Sequence, residues 1–77
     1  MTDNWIITEE MLEMLCREPN HEMEFRHHIG GCLYSTLWIY YDDKLDLFFL
    51  TDNLEYDEWT KQELLSFYKN GWWRREV

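Results

Sequence analysis

The stretch from Cys32 to Leu50 constrains the fold more than any other part of the chain. CLYSTLWIYY and LDLFFL are aromatic and β-branched runs separated by the polar trio Asp42-Asp43-Lys44, a pattern that predicts two antiparallel strands joined by a tight turn. In the first run Leu33, Leu37, Ile39 and Tyr41 alternate with Cys32, Tyr34, Thr36, Trp38 and Tyr40, so both faces carry apolar bulk and the strand reads as central. Such a strand needs cover on both sides, and two helices are all that the rest of a 77-residue chain offers. One face is therefore expected to stay partly open as a binding surface.

The flanking segments complete the expected architecture. From His21 to Ile29 a period of two sets Met23, Phe25, His27 and Ile29 against Glu22, Glu24, Arg26 and His28, which predicts a half-buried edge strand, with Gly30-Gly31 as the hairpin turn that follows it. Upstream, Trp5-Ile6-Ile7 forms an apolar plug. Thr8 then offers an N-cap, Glu9 and Glu10 favour the first turn of a helix, Met11, Leu12, Met14 and Leu15 share its apolar face, and Pro19 stops it. Downstream, Thr60-Lys61-Gln62-Glu63 is a capping box, Trp59 and Leu64 match a hydrophobic staple, and Asn70-Gly71 is expected to end the helix in a left-handed cap. The expected fold is α+β: helix, three-stranded antiparallel meander, helix, in one domain spanning residues 1–77, with both helices on one face. Its expected core is Phe25, Leu33, Leu37, Ile39, Leu47, Phe49, Leu64 and Phe67.

Charge bounds the function. Sixteen acidic residues against seven basic ones give a formal charge of −9, which disfavours direct binding to nucleic acid or to an anionic membrane and favours a partner with a basic groove. Acidic disordered chains are poor in aromatics, whereas 18% of this chain is aromatic, enough to order a core. No apolar run approaches the ~20 residues that span a bilayer. Cys16 and Cys32 are too few for a disulfide framework and no signal peptide precedes them, so they read as reduced thiols in a cytoplasmic protein.

Candidate chemistry is sparse. His21, His27, His28, Cys16 and Cys32 lie close in sequence, but adjacent His27 and His28 point to opposite faces of a strand and no Cys-x-x-Cys pair exists, so neither a metal nor another cofactor is expected. Asp42-Asp43 sits at a turn tip, where water screens both carboxylates, and Cys32 lacks an evident base, so the chain does not read as an enzyme. The carboxylates carry more. Asp42, Asp43, Asp46, Asp52, Glu55, Asp57 and Glu58 crowd one stretch, and they can imitate the phosphates of a nucleic-acid backbone. A bland alternative is a solvating acidic surface. Trp72 and Trp73 join the candidate partner-binding set, because consecutive aromatics cannot all point inward and exposed Trp is a favoured anchor.

The segment Leu64-Leu65-Ser66-Phe67-Tyr68-Lys69-Asn70-Gly71-Trp72 resembles the helix end of a small acidic type II anti-CRISPR family. There a similar Phe-x-Lys-Asn-Gly-Trp stretch follows a helix and a three-stranded sheet. The resemblance implies a phage-encoded DNA mimic that occupies the site where guide-loaded Cas9 would read the PAM duplex. The expectation is thus an acidic inhibitor of a basic nucleic-acid-binding host protein, a CRISPR effector being one such protein. The alternative is an immunity- or antitoxin-like or regulatory interaction module.

Overall fold

The computed structural model describes residues 5–30, 33–51 and 55–76, with side chains at all of these except 29, 30 and 33. The elements run β1 (Ile6–Ile7), α1 (Thr8–Arg17), β2 (Met23–Gly30), β3 (Leu33–Asp42), β4 (Leu47–Thr51), β5 (Asp57–Trp59), α2 (Lys61–Phe67) and β6 (Trp72–Arg75). All the strands form one antiparallel sheet in the order β1-β6-β2-β3-β4-β5. The helix, three-stranded meander, helix arrangement is therefore overturned. The expected strands are present as β2, β3 and β4, but β5 extends them on one side, and β6 and β1 extend them on the other.

The added strands are two, three and four residues long, too short for an alternation to register. Trp72 to Arg75 pair with both β1 and β2, so β2 is an inner strand instead of the expected edge. Its polar alternation has another cause, which is that no helix among the described residues covers the face bearing Glu24, Arg26 and His28. Gly30 is a strand residue of β2, across from Leu33, and not the first residue of a turn, while residues 31 and 32 lie outside the described residues.

Both helices lie on one face. Met11, Leu12 and Leu15 of α1 and Leu64 of α2 bury against Met23, Phe25, Leu37, Ile39, Phe48, Leu50 and Trp73. Phe25, Leu37, Ile39 and Leu64 are core residues, as expected. The other expected core residues are corrected or fall outside description. Leu47 and Phe49 yield to Phe48 and Leu50, because a four-residue turn joins the Asp42–Leu47 pair and Asp42 already points away from the helices. Phe67 is 66% exposed, since α2 turns Leu64 and Tyr68 inward and leaves Phe67 beside them, stacked 5.3 Å from Trp59. The Leu33 side chain lies outside the described residues.

Helix ends follow local chemistry in part. At α2 the capping box forms: the Glu63 amide donates to Thr60 Oγ1 at 3.1 Å and the Thr60 amide donates to Glu63 Oε1 at 2.8 Å. At α1 the N-cap is Ile7, not Thr8. Thr8 has a larger role, because its hydroxyl donates to the Tyr68 carbonyl at 2.7 Å and accepts the Trp73 indole N–H at 2.8 Å. One buried side chain thereby ties α1 to β6 and to the end of α2. His27 stacks 4.3 Å from Trp73 and meets Tyr68 edge-on at 4.9 Å; burial first, then the charge of His28, pushes its pKa below the usual histidine range. Gly71 is needed here for space and not for a left-handed cap. A Cβ at position 71 would meet Thr8 Oγ1 at 3.0 Å and both His27 Nε2 and Trp73 Nε1 at 3.2 Å.

Two substitutions test this knot. Thr8→Val keeps the volume but leaves the buried Trp73 N–H without its acceptor, which should cost about 1–3 kcal/mol in urea unfolding. A loss below ~0.5 kcal/mol, the range of ordinary surface changes, would show that the bond is dispensable. Gly71→Ala should cost about 1–3 kcal/mol by overpacking, read as a lowered Tm with unchanged secondary structure.

Candidate protein-binding surface

The expected carboxylates separate into two groups on the β4–β5 side of the sheet. The first belongs to the β3–β4 turn. Asp42, half-buried, accepts the Lys44 amide at 2.9 Å and the Leu45 amide at 3.0 Å, so its carboxylate builds the turn. Asp43 is exposed and accepts the Asn20 side-chain amide at 3.2 Å. Asp46 has φ 56°, a left-handed conformation that Asp tolerates, and accepts the Tyr41 hydroxyl at 2.7 Å. The turn thus holds its acids in fixed positions while leaving Asp43 and Asp46 exposed.

The second group lines the edge of the sheet. Glu55, Asp57 and Glu58 are exposed on and just before β5, whose outer side pairs with no other strand among the described residues. Asp52 lies outside the described residues. Glu22 stands near the same end, accepting the Tyr56 hydroxyl. That bond raises the Tyr56 pKa above the usual phenol value.

The two tryptophans part company. Trp73 is completely buried and leaves the candidate set, since exposing it would open the core. Trp72, 47% exposed, faces the opposite side of β6, across from Ile7 and His28. It stands three strand spacings from β4, about 14 Å at the usual spacing, so it does not adjoin the acids.

The expectation that one face stays open is met by a sheet face that carries no helix among the described residues. Its register stacks Trp72, His28 and Tyr34 in one row, Arg74, Arg26 and Thr36 in the next, then Glu24, Trp38 and Thr51, then Tyr40, Phe49 and Glu58. At one end Trp5 lies 5.7 Å from both Tyr34 and His28, and with Trp72 they line a cleft of about 410 Å3. Arg74 sits 5.0 Å over the Trp5 ring and Arg26 5.8 Å over Tyr34, and both pair with Glu76. At the other end Tyr40 stacks on Phe49 at 5.0 Å, and Tyr56 stands edge-on to Tyr40 at 5.6 Å. The even positions of β3 carry the sequence signal for this face, but nothing local shows Trp5 and Trp72 coming to join it.

Among the described residues, no group of three or more His, Cys, Asp or Glu side chains is placed to hold a metal ion, and no helix is long and apolar enough to cross a membrane. Comparison with known protein families, curated proteins and solved structures gives no match.

The Tyr41–Asp46 bond has a titration consequence. The hydrogen bond to Asp46 comes first, then burial, and together with nearby negative charge they push the phenol up to about 12. A raised phenol pKa means that the folded state favours the neutral form, so its stabilisation is complete below the unfolded value of about 10 and is lost as pH rises toward the folded value. In a spectroscopic phenolate titration one tyrosine should ionise near pH 12, and it should shift down in Asp46→Asn, which keeps the left-handed turn but not the charge. An unchanged titration curve in that variant would remove Asp46 as the cause.

Proposed function

We propose that this protein is a small acidic inhibitor that occupies the basic nucleic-acid-binding groove of another protein. The observation that carries the reading is the placement of the carboxylates of the β3–β4 turn and the β5 edge, with Asp43, Asp46, Glu55, Asp57 and Glu58 exposed at one side of a sheet in a chain of charge −9. Hydrogen bonds to Asp43 and Asp46 hold those side chains in advance, which lowers the ordering cost of binding. Competition is then steric and electrostatic: carboxylates stand where phosphates would, opposite the Lys and Arg of the groove. The resemblance of residues 64–72 directs the proposal to a phage-encoded inhibitor of a CRISPR effector.

The helix-free aromatic face favours a second reading, an immunity- or antitoxin-like partner of a basic toxin. Both readings entail fast association that weakens with salt, because exposed charges are screened over about 8–10 Å. Competition separates them. A partner captured on the immobilised chain should lose affinity for labelled nucleic acid as the chain is added, and the triple reversal Glu55→Lys, Asp57→Lys, Glu58→Lys should abolish that effect without lowering the Tm. Unchanged nucleic-acid affinity at saturating chain would overturn the mimic reading.

A further inference from the structure

The helix-free face is complementary to itself. Successive rows on it are two residues apart along each strand, about 6.6 Å. An imaginary line across the strands at the level of Leu37 divides the rows into two halves. On one side, nearest the line, stand the cations Arg26 and Arg74; beyond them lies the cleft of Trp5, Tyr34 and Trp72. On the other side, nearest the line, stands Glu24, whose carbonyl accepts the Glu76 amide at 2.8 Å; beyond it Tyr56 rises over Tyr40, 46% exposed and anchored to Glu22. Cation and cleft thus lie at mirror positions to acid and ring.

A two-fold axis lying in the plane of the face, along that line, brings each half of one copy over the other half of a second copy. Arg26 then meets the second copy's Glu24, and Tyr56 enters the second copy's cleft, whose volume of about 410 Å3 has room for a phenol ring. Each row spans three or four strands, about 14–19 Å, and the four rows run about 20 Å, a footprint on the order of 300–400 Å2 before side-chain relief. Side-chain relief enlarges it, and the interface stays below the ~800 Å2 that a standard interface takes from each partner, the size of a weak dimer. The acids of the β3–β4 turn and the β5 edge lie at the rim, where water screens their mutual repulsion.

We propose that two copies of this chain pack helix-free face to helix-free face as a two-fold dimer, with Tyr56 of each seated in the Trp5–Tyr34–Trp72 cleft of the other. The dimer does not rest on the inhibitor reading, since its contacts are Arg26 to Glu24 and Tyr56 to the cleft.

Sedimentation equilibrium tests it through a charge exchange. The wild-type chain should dimerise in the micromolar range. In a homodimer of the Arg26→Glu variant both contacts set one carboxylate against another, and in a homodimer of the Glu24→Lys variant both set one cation against another, so each variant alone should sediment as a monomer. Mixed in equal amounts, the two variants can form a heterodimer in which the charge-reversed side chains of one copy face those of the other as an opposite-charge pair, and the native groups that remain form a second such pair at the other contact. Tyr56→Ala, at an exposed position outside the core, should weaken the wild-type dimer by about tenfold or more. A wild-type chain that stays monomeric at millimolar concentration overturns the proposal. So does a dimer that survives all three substitutions, or a failure of the two charge variants, each folded by circular dichroism, to associate when mixed.

Discussion

The hydrogen bond from the Trp73 indole to Thr8 is the contact on which the rest of the structure depends. Trp73 is the largest completely buried side chain, and taking an indole N–H out of water without an acceptor costs about 1–3 kcal/mol. Thr8 supplies one from the first turn of α1, and its own hydroxyl hydrogen goes to the carbonyl that follows α2. Around that pair gather Phe25, His27, Tyr68 and the bare Cα of Gly71. The knot fixes where β6 enters the sheet, and β6 gives β1 its partner and β2 its second neighbour.

The parts of this fold written in local chemistry are legible in the chain. The capping box at Thr60, the apolar face of α1 and the alternation of β2 and β3 each depend on residues a few positions apart. What is not legible depends on distant residues or on a count of turn residues. Trp72 to Arg75 look like a tail until β1 and β2 are seen on either side of them. In β4, Phe48 and Phe49 are equally apolar, so only the length of the preceding turn decides which faces the helices. The candidate site divides the same way: exposed acids in turns follow from sequence, whereas Trp73 is removed from the set by the long-range bond that buries it. Thr8 reads as a cap because cap and buried tie use the same hydroxyl.

Distribution of charge makes so acidic a small chain foldable. Among the described residues the buried side chains are apolar apart from Thr8 and Thr51, and most carboxylates stand on turns, the sheet edge and outer helix faces, where water lowers the energy of their repulsion. Aromatic rings on the helix-free face take the place of a second layer. They cover the backbone of a sheet whose other side alone is roofed by helices, and the guanidinium groups of Arg26 and Arg74 lie over two of them.

The position of β6 also places the fold in time. Trp73 and Thr8 are separated by 65 residues, and the strand that lies between β1 and β2 is made after both. A chain leaving the ribosome can roll up β2, β3 and β4, but the slot beside β2 stays empty until residues 72–75 have been added. During that interval β2 shows a row of unpaired amides and carbonyls to solvent, the kind of edge on which chains aggregate. Closing the sheet is therefore a long-range step that waits for residues 72–75, and deleting the β6 segment takes out an inner strand, leaving β1 without its partner and β2 with an open edge.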